Sequence, residues 1–253
     1  GPYVFGITVL TSQAQRAYDI CSMLKKNYPD CFIIMGGIHV TALPEEGLAN
    51  GADVVVKGEG EVTLKTVYEA FLAKESWHNT TGIAYLDQQG EICITPDGEL
   101  IRDLDEIPIF PFHLFENPKY DMGVIAAARG CPYTCNYCSQ RLVTGLTYRW
   151  HSVERVVEML DILVNKYNQD YVNFYDDNFS VNKRRVRQLC DGIVAKGLHK
   201  KAMFRIQTRA DNLYPEIMPY LRKANFQIIG FGMETASDRL DEVINKGQTV
   251  EQH

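Results

Sequence analysis

The sequence predicts an α/β protein in two parts, a doubly wound parallel sheet followed by part of a β/α barrel. Three observations predict it. Over residues 1–78, short apolar runs alternate with helical stripes, and glycine-rich turns follow the runs. Over residues 121–253 the alternation repeats four times, and polar residues stand where each strand ends. Residues 79–120 between them hold a hairpin pattern, then prolines and acidic residues, the composition of a connector. Strands alternating with helices imply parallel pairing under helical cover.

In the first part, residues 3–10 read as a buried strand, short and rich in β-branched and aromatic residues. Ala14, Ala17, Cys21, Leu24 and Tyr28 then recur at helical spacing, and Pro29 stops that helix. Residues 31–35 form the next strand, closed by Gly36-Gly37. Residues 53–56 form another, ending at Gly58-Glu59-Gly60-Glu61, before a helix with Val62, Val67, Phe71 and Leu72 facing inward. Ligands of such sheets bind at the carboxyl ends of the strands, where these glycines stand. Alone, a glycine there is more simply a tight turn that needs positive φ.

Residues 82–86 and 91–95 flank Asp87-Gln88-Gln89-Gly90 as a hairpin. In the last part the strands fall at 123–128, 171–175, 202–207 and 226–231. Val153, Val156, Val157, Leu160 and Leu163 mark a helix after the first, and residues 182–196 a helix after the second. None of these units carries a glycine-fingerprint phosphate loop, which favours a barrel with its chemistry at the strands' carboxyl ends. A polar strand end is ordinarily a cap or a turn. Four in register around one mouth fit that reading poorly.

The chain has 253 residues, 45% hydrophobic and 23% charged, an ordinary globular composition. Its net charge of −6 argues against a general nucleic-acid binder. Acidity is greatest over residues 79–120, while 121–253 is weakly basic, which suits anionic ligands and solvated helix faces equally. The 7 cysteines are odd in number and irregularly spaced, so a reducing cytoplasm is expected rather than a disulfide framework. No apolar stretch reaches the ~18 residues of a membrane span. No basic segment followed by an apolar core marks a signal peptide. The chain opens directly on a strand-like run, so residues are expected to be missing upstream.

The chemistry-bearing motif is Cys131-x3-Cys135-x2-Cys138, with Tyr137 before the last cysteine and the apolar run 123–128 leading in. Thiolates are soft ligands that select zinc, copper(I) or iron–sulfur clusters. A closed zinc site takes four ligands, and no fourth is local. A structural zinc site completed by a remote histidine therefore stays open beside a four-iron cluster with one iron free.

This loop resembles the cluster loop of radical S-adenosylmethionine (SAM) enzymes. Residues 36–46 and 53–61 resemble the second half of the Rossmann-like cobalamin-binding domain of the family's B12-dependent branch. The hairpin and the Leu104-Asp105-x-x-Pro108 passage are similar to that branch's interdomain segment. The resemblance implies a partial cobalamin-binding domain over 1–78, a hairpin connector over 79–120, and four units of a (β/α)6 radical SAM barrel over 121–253, cut at or near His253. It implies a [4Fe–4S] cluster on Cys131, Cys135 and Cys138. SAM contacts are implied for Tyr137, Asp176, Asp177, Gln207, Arg209 and Glu234. Asp176-Asp177-Asn178 stands where the family faces the methionine amino group. Gln207 and Arg209 stand near the ribose and carboxylate positions, and Glu234 at a ribose-hydroxyl position. Cobalamin contacts are implied for Thr8, Leu10, Gly36, Gly37, Gly58, Glu59 and Gly60. No Asp-x-His-x-x-Gly loop is present, so the lower cobalt ligand stays open, and His39 reads as a loop histidine without a metal role.

The activity so implied is reductive cleavage of SAM to a 5′-deoxyadenosyl radical, used for methyl transfer to an unactivated carbon. Cyclisation or rearrangement with a non-functional B12 domain is the alternative. The expected partners are a small-molecule or natural-product substrate and a flavodoxin- or ferredoxin-type electron donor.

Overall fold

The structure, a computed structural model, describes residues 3–115 and 121–252. Residues 116–120 of the expected connector, and His253 at the expected cut, lie outside the described residues. The chain divides into two compact units. One holds the residues up to Ile101 together with Ser139–Gly145, the other Arg102–Cys138 and the residues from Leu146 onward.

The first unit is a five-stranded sheet in sequence order. β1 (Val4–Thr8), α1 (Ala14–Asn27), β2 (Phe32–Gly36), α2 (Ile38–Ala42), α3 (Pro44–Ala49), β3 (Val54–Val56) and α4 (Gly60–Ala73) follow the expected alternation. β1, β2 and β3 pair in parallel. Side-chain alternation along β2 explains the double winding. Ile33 and Met35 pack with the α1 residues Ala17, Cys21 and Leu24, whereas Phe32 and Ile34 pack with Val67 of α4 and Phe71.

Two expectations change here. The hairpin strands β4 (Ile83–Leu86) and β5 (Ile92–Ile94) continue this sheet, β4 pairing antiparallel with β3 at Val55 and Val56. The expected parallel sheet is therefore mixed. In α4, Val62 and Leu72 face solvent, and Thr63 and Val67 are the buried positions. Residues five apart, such as Val62 and Val67, point about 140° apart around a helix, so one buried face cannot hold both.

The second unit is built on β6 (Val124–Ile125), β9 (Tyr171–Phe174), β10 (Met203–Thr208) and β11 (Phe226–Phe231), parallel and in sequence order. A short antiparallel pair, β7 (Ala128–Arg129) and β8 (Arg149–Trp150), brackets the cysteine loop. Helices α5 (Val153–Asp161), α6 (Lys183–Ala195), α7 (Met218–Lys223) and α8 (Asp238–Val243) follow β8, β9, β10 and β11. α5 is capped by Ser152 Oγ and continues as one π-helical turn, Ile162–Lys166. Asn182 caps α6 in the same way. A parallel sheet in strict sequence order with helices packed on one face is one side of a barrel wall.

The core between this sheet and its helices holds Val172, Phe174, Phe204 and Ile206 against Leu160, Leu189 and Ile193. Phe174, Phe179, Phe204 and Phe226 pack ring to ring, with centroids 5.2–6.0 Å apart. Arg205 and Gln207 alternate with these and project from the other face, which is exposed. The expected first strand, 123–128, is interrupted. Ala127 gives its N–H to Asp176 Oδ1 and its carbonyl to Arg185 Nη2 and the His151 N–H, so no ladder partner is left to it.

Truncating Phe174, fully buried in that ring cluster, is expected to destabilise the unit by about 3–5 kcal/mol in urea unfolding. Val62→Ala, on the exposed face of α4, is expected to change stability by under about 0.5 kcal/mol.

Candidate functional site

The cysteine loop follows β7 at the carboxyl end of the sheet. It has no regular secondary structure, and the only backbone hydrogen bond found within it among the described residues runs from the Cys138 N–H to Cys135 O, 3.2 Å. Neighbouring loops therefore hold it. The Gly130 N–H donates to Asp177 Oδ2 at 2.7 Å. The Asn136 N–H donates to Ile244 O, and Asn245 Nδ2 donates to Thr134 O at 3.0 Å and Oγ1 at 2.9 Å. Asn212 Nδ2 donates to the Tyr133 hydroxyl at 2.8 Å.

Cys135 is buried and Cys131 and Cys138 are half-buried. Asn178 Nδ2 lies 4.0 Å from Cys131 Sγ, and Arg209 Nη1 lies 3.7 Å from Cys135 Sγ. Burial pushes the Cys131 thiol above its ordinary value, against the pull of the Tyr133 backbone and the Asn178 amide. Among the described residues, no three His, Cys, Asp or Glu side chains converge closely enough to hold one metal ion. A four-iron cluster takes each thiolate on a different iron, and three free thiols in one loop with donors aimed at two of the sulfurs fit it.

The expected SAM contacts separate into groups. Tyr137 is half-exposed, and its hydroxyl is held above the ordinary range by burial and by Cys135 and Glu234 facing it. Glu234 adopts φ +59°, a left-handed backbone uncommon outside glycine. Its Oε1 lies 3.4 Å from the buried Lys246 Nζ. Asp177 is at the loop through Gly130, and Gln207 is on the exposed sheet face. Arg209 gives Nε and Nη2 to Asp211, 2.9 Å each, and lies over the Tyr133 ring.

Asp176 turns inward instead. It is 5% exposed, Oδ1 accepts the Ala127 N–H at 2.6 Å, and Oδ2 has no hydrogen-bond partner among the described residues. Burial pushes its carboxyl up to about 6, against the pull of Arg185 and the backbone of Ala127 and Ala128. Asn178, Asn212, Tyr133 and Lys246 were not among the expected site residues. Asn178 and Tyr133 carried a signal, since Asn178 follows Asp177 directly and Tyr133 lies between Cys131 and Cys135. Lys246 carried none.

In the first unit, a cleft of about 440 Å³ opens at the carboxyl ends of β1, β2 and β3, beside the first turn of α4. Thr8, Gly36, Gly37, Gly58 and Gly60 all line it. Gly37 has φ +99°, and a Cβ there would stand 2.8 Å from Val9 O, so no other residue fits. Gly6 also lines the cleft, and a Cβ there would meet nothing within 4 Å, so any side chain would fill the space. Glycine inside a strand marks such close approach, a signal that was available in the sequence. A floor kept bare of side chains fits the narrow tail of cobalamin.

Leu10 and Glu59 lie outside this cleft. Leu10 is exposed, and Glu59 Oε2 accepts the Ile101 N–H at 2.9 Å. Glu59, Gly58 and Arg141 line a second cleft of about 450 Å³ in the same unit. His39 lies in α2 rather than a loop. Its Nε2 meets the Tyr18 hydroxyl at 3.0 Å and Glu46 Oε2 at 3.2 Å, and its Nδ1 meets Thr11 Oγ1 at 3.3 Å. Both ring nitrogens are thus engaged by protein groups.

The Radical SAM superfamily profile matches residues 125–253, and the B12 binding domain profile matches residues 1–68. An uncharacterized methyltransferase of Pyrococcus horikoshii, PH0819, is 34% identical over 99% of this chain and 56% of its own length. The anaerobic magnesium-protoporphyrin IX monomethyl ester cyclase of Cereibacter sphaeroides is 32% identical over 98% of this chain and 42% of its own length. The chain thus spans about half the length of these curated relatives. Among solved structures, the cobalamin-dependent SAM radical enzyme OxsB, with aqua-cobalamin and SAM bound, superposes with TM-score 0.85 at 21% identity. That match covers 99% of this chain and 38% of OxsB.

The raised Asp176 carboxyl sets a pH dependence. The folded protein holds this proton more tightly than the unfolded chain, whose value is near 3.8. The contribution is present below that value and is lost as pH rises through about 6. Urea unfolding is expected to show stability falling by up to ~3 kcal/mol across this window, and Asp176→Asn is expected to flatten the fall.

Proposed function

The chain belongs to the radical SAM superfamily, and from that premise we propose that it serves a cobalamin-dependent enzyme that cleaves SAM reductively and methylates an unactivated carbon. One observation carries the proposal. A single chain presents three thiols at the strand ends of one unit and a glycine-floored cleft at the strand ends of the other.

When bound, the cluster supplies the electron that opens SAM's sulfonium bond, and cobalamin supplies the methyl carrier. Cys131, Cys135 and Cys138 would hold the cluster. Asp177, a carboxylate at the turn into the loop, would orient the amino end of SAM through charge-assisted hydrogen bonds. Glu234, held by Lys246 in a fixed backbone conformation, would accept from the ribose hydroxyls, and Tyr137 would cover the same position. Gln207 would face the nucleoside from the exposed sheet face. Asp176 keeps its place as the anchor of the loop below. In the first unit, Gly36, Gly37, Gly58 and Gly60, with Gly6, would keep the cleft open for the cofactor's tail.

Radical cyclisation is the second reading, favoured by the 32% identity to a protein named as a cyclase. A small-molecule substrate, a flavodoxin- or ferredoxin-type electron donor and a cytoplasmic setting belong to both readings. Among the described residues, no helix is long and apolar enough to cross a membrane.

Anaerobic reconstitution of the full-length protein tests the proposal. It is expected to bind about four irons per chain, to copurify with cobalamin, and to release methionine and 5′-deoxyadenosine when SAM and a reductant are supplied. Cys135→Ala is expected to abolish cleavage, and Gly37→Val to remove cobalamin while leaving the iron. A methylated product separates methylation from cyclisation. One zinc per chain with no SAM cleavage would refute both readings.

A further inference from the structure

Beneath the cysteine loop runs a buried chain of side-chain hydrogen bonds. Ser180 Oγ meets Thr208 Oγ1 at 2.5 Å, and Thr208 Oγ1 donates to Asn178 Oδ1 at 2.7 Å. Asn178 Nδ2 donates to Asn212 Oδ1 at 2.8 Å, and Asn212 in turn donates to the Tyr133 hydroxyl. Ser180, Thr208, Asn178 and Asn212 are all at most 4% exposed. Polar groups this deep are tolerated only when satisfied, and a satisfied network fixes its members rigidly. What it fixes here is the Asn178 amide, whose Nδ2 also faces Cys131 Sγ at 4.0 Å.

Arg209 is fixed at the second sulfur by different means. Its guanidinium lies 3.6 Å from the Tyr133 ring centroid, and Asp211 grips the Nε–Nη2 edge. Gln248 Nε2 holds Asp211 Oδ1 at 2.6 Å. The carboxylate therefore lies along one edge, and Nη1, away from that edge, is directed at Cys135 Sγ. The pair forms a dipole with its positive end on the sulfur. Two different strand-end loops thus each present a nitrogen donor to a different cysteine sulfur.

We propose that Arg209 and Asn178 are positioning residues that raise the reduction potential of the cluster held by Cys131, Cys135 and Cys138. This rests on the cluster reading above and deepens it. Reduction adds one electron from an external donor and moves no proton. The added negative charge spreads onto the cluster and its thiolate sulfurs, where a cationic donor and an amide donor stabilise it. Hydrogen bonds to sulfur and local charge are among the properties that set such potentials. A neutral donor alone would do less, so Arg209 carries the larger share.

Redox titration of the reconstituted full-length protein without SAM, followed by electron paramagnetic resonance, tests this. Arg209→Gln is expected to lower the reduced-to-oxidised ratio at fixed potential about tenfold, a shift of ~59 mV for one electron, with iron content unchanged. Arg209→Lys, which keeps the charge, is expected to restore most of the shift. Should Arg209→Gln fail to retain iron, Asn178→Ser carries the test, and a lowered potential there supports the proposal. An iron-replete Arg209→Gln titrating like wild type, a Lys variant shifted as far as the Gln variant, or an unshifted Asn178→Ser would overturn it. A role for Arg209 confined to SAM would give the first of these, with SAM binding weakened instead. A wild-type protein that takes up no iron overturns the underlying cluster reading.

Discussion

Three consecutive side chains after β9 hold the cysteine loop. Asp176 receives the Ala127 N–H, Asp177 receives the Gly130 N–H, and Asn178 faces Cys131 Sγ. A loop with almost no hydrogen bonds of its own has no preferred shape. Its shape is set by whatever satisfies its backbone, and here that is the end of β9 at Gly130 and the segment after α8 at Thr134 and Asn136. The three contacts act at different depths. Asp176 is buried beneath the end of the first strand, Asp177 stands at the turn into the loop, and Asn178 reaches a sulfur. Because Asp176 also takes the N–H that would have continued β6, the same carboxylate ends the strand and starts the loop.

A second constraint governs the other unit. Its cleft exists because β2 and β3 run out into glycines and β1 carries Gly6 beside them. Gly37 is fixed by geometry, since its backbone lies against that of Val9 and a Cβ would collide with it. At Gly6 a Cβ would meet nothing within 4 Å, so a side chain there would take up cleft space without a clash. A glycine of the first kind shapes the fold, and one of the second kind leaves room in the cleft.

Much of this was legible in the residues. The strand at 226–231 and the stripe of α1 followed directly from apolar spacing, and the three cysteines and the glycine turns could be placed at strand ends. Phase was harder than period. Val62 and Leu72 each lie five residues from the buried Val67, about 140° around the helix, so they face solvent although they are apolar. Nor does sequence say which of two adjacent carboxylates turns inward, since that depends on Ala127, 49 positions away from Asp176. Asn245 holds the loop at Thr134 across 111 positions, and Lys246 reaches Glu234 only through the turn after α8. Arg209 was legible as a polar strand end, but its contact with Cys135 depends on the stacking against Tyr133 and the grip of Asp211.

The central claim is that the loop at Cys131–Cys138 holds a cluster with one iron open to SAM. Mössbauer spectroscopy of the iron-57-reconstituted full-length protein, with and without SAM, tests it most directly. The account predicts that adding SAM changes the isomer shift of one iron site out of four and leaves the others unaltered. Four equivalent sites unaffected by SAM, or no cluster signal at all, would contradict it.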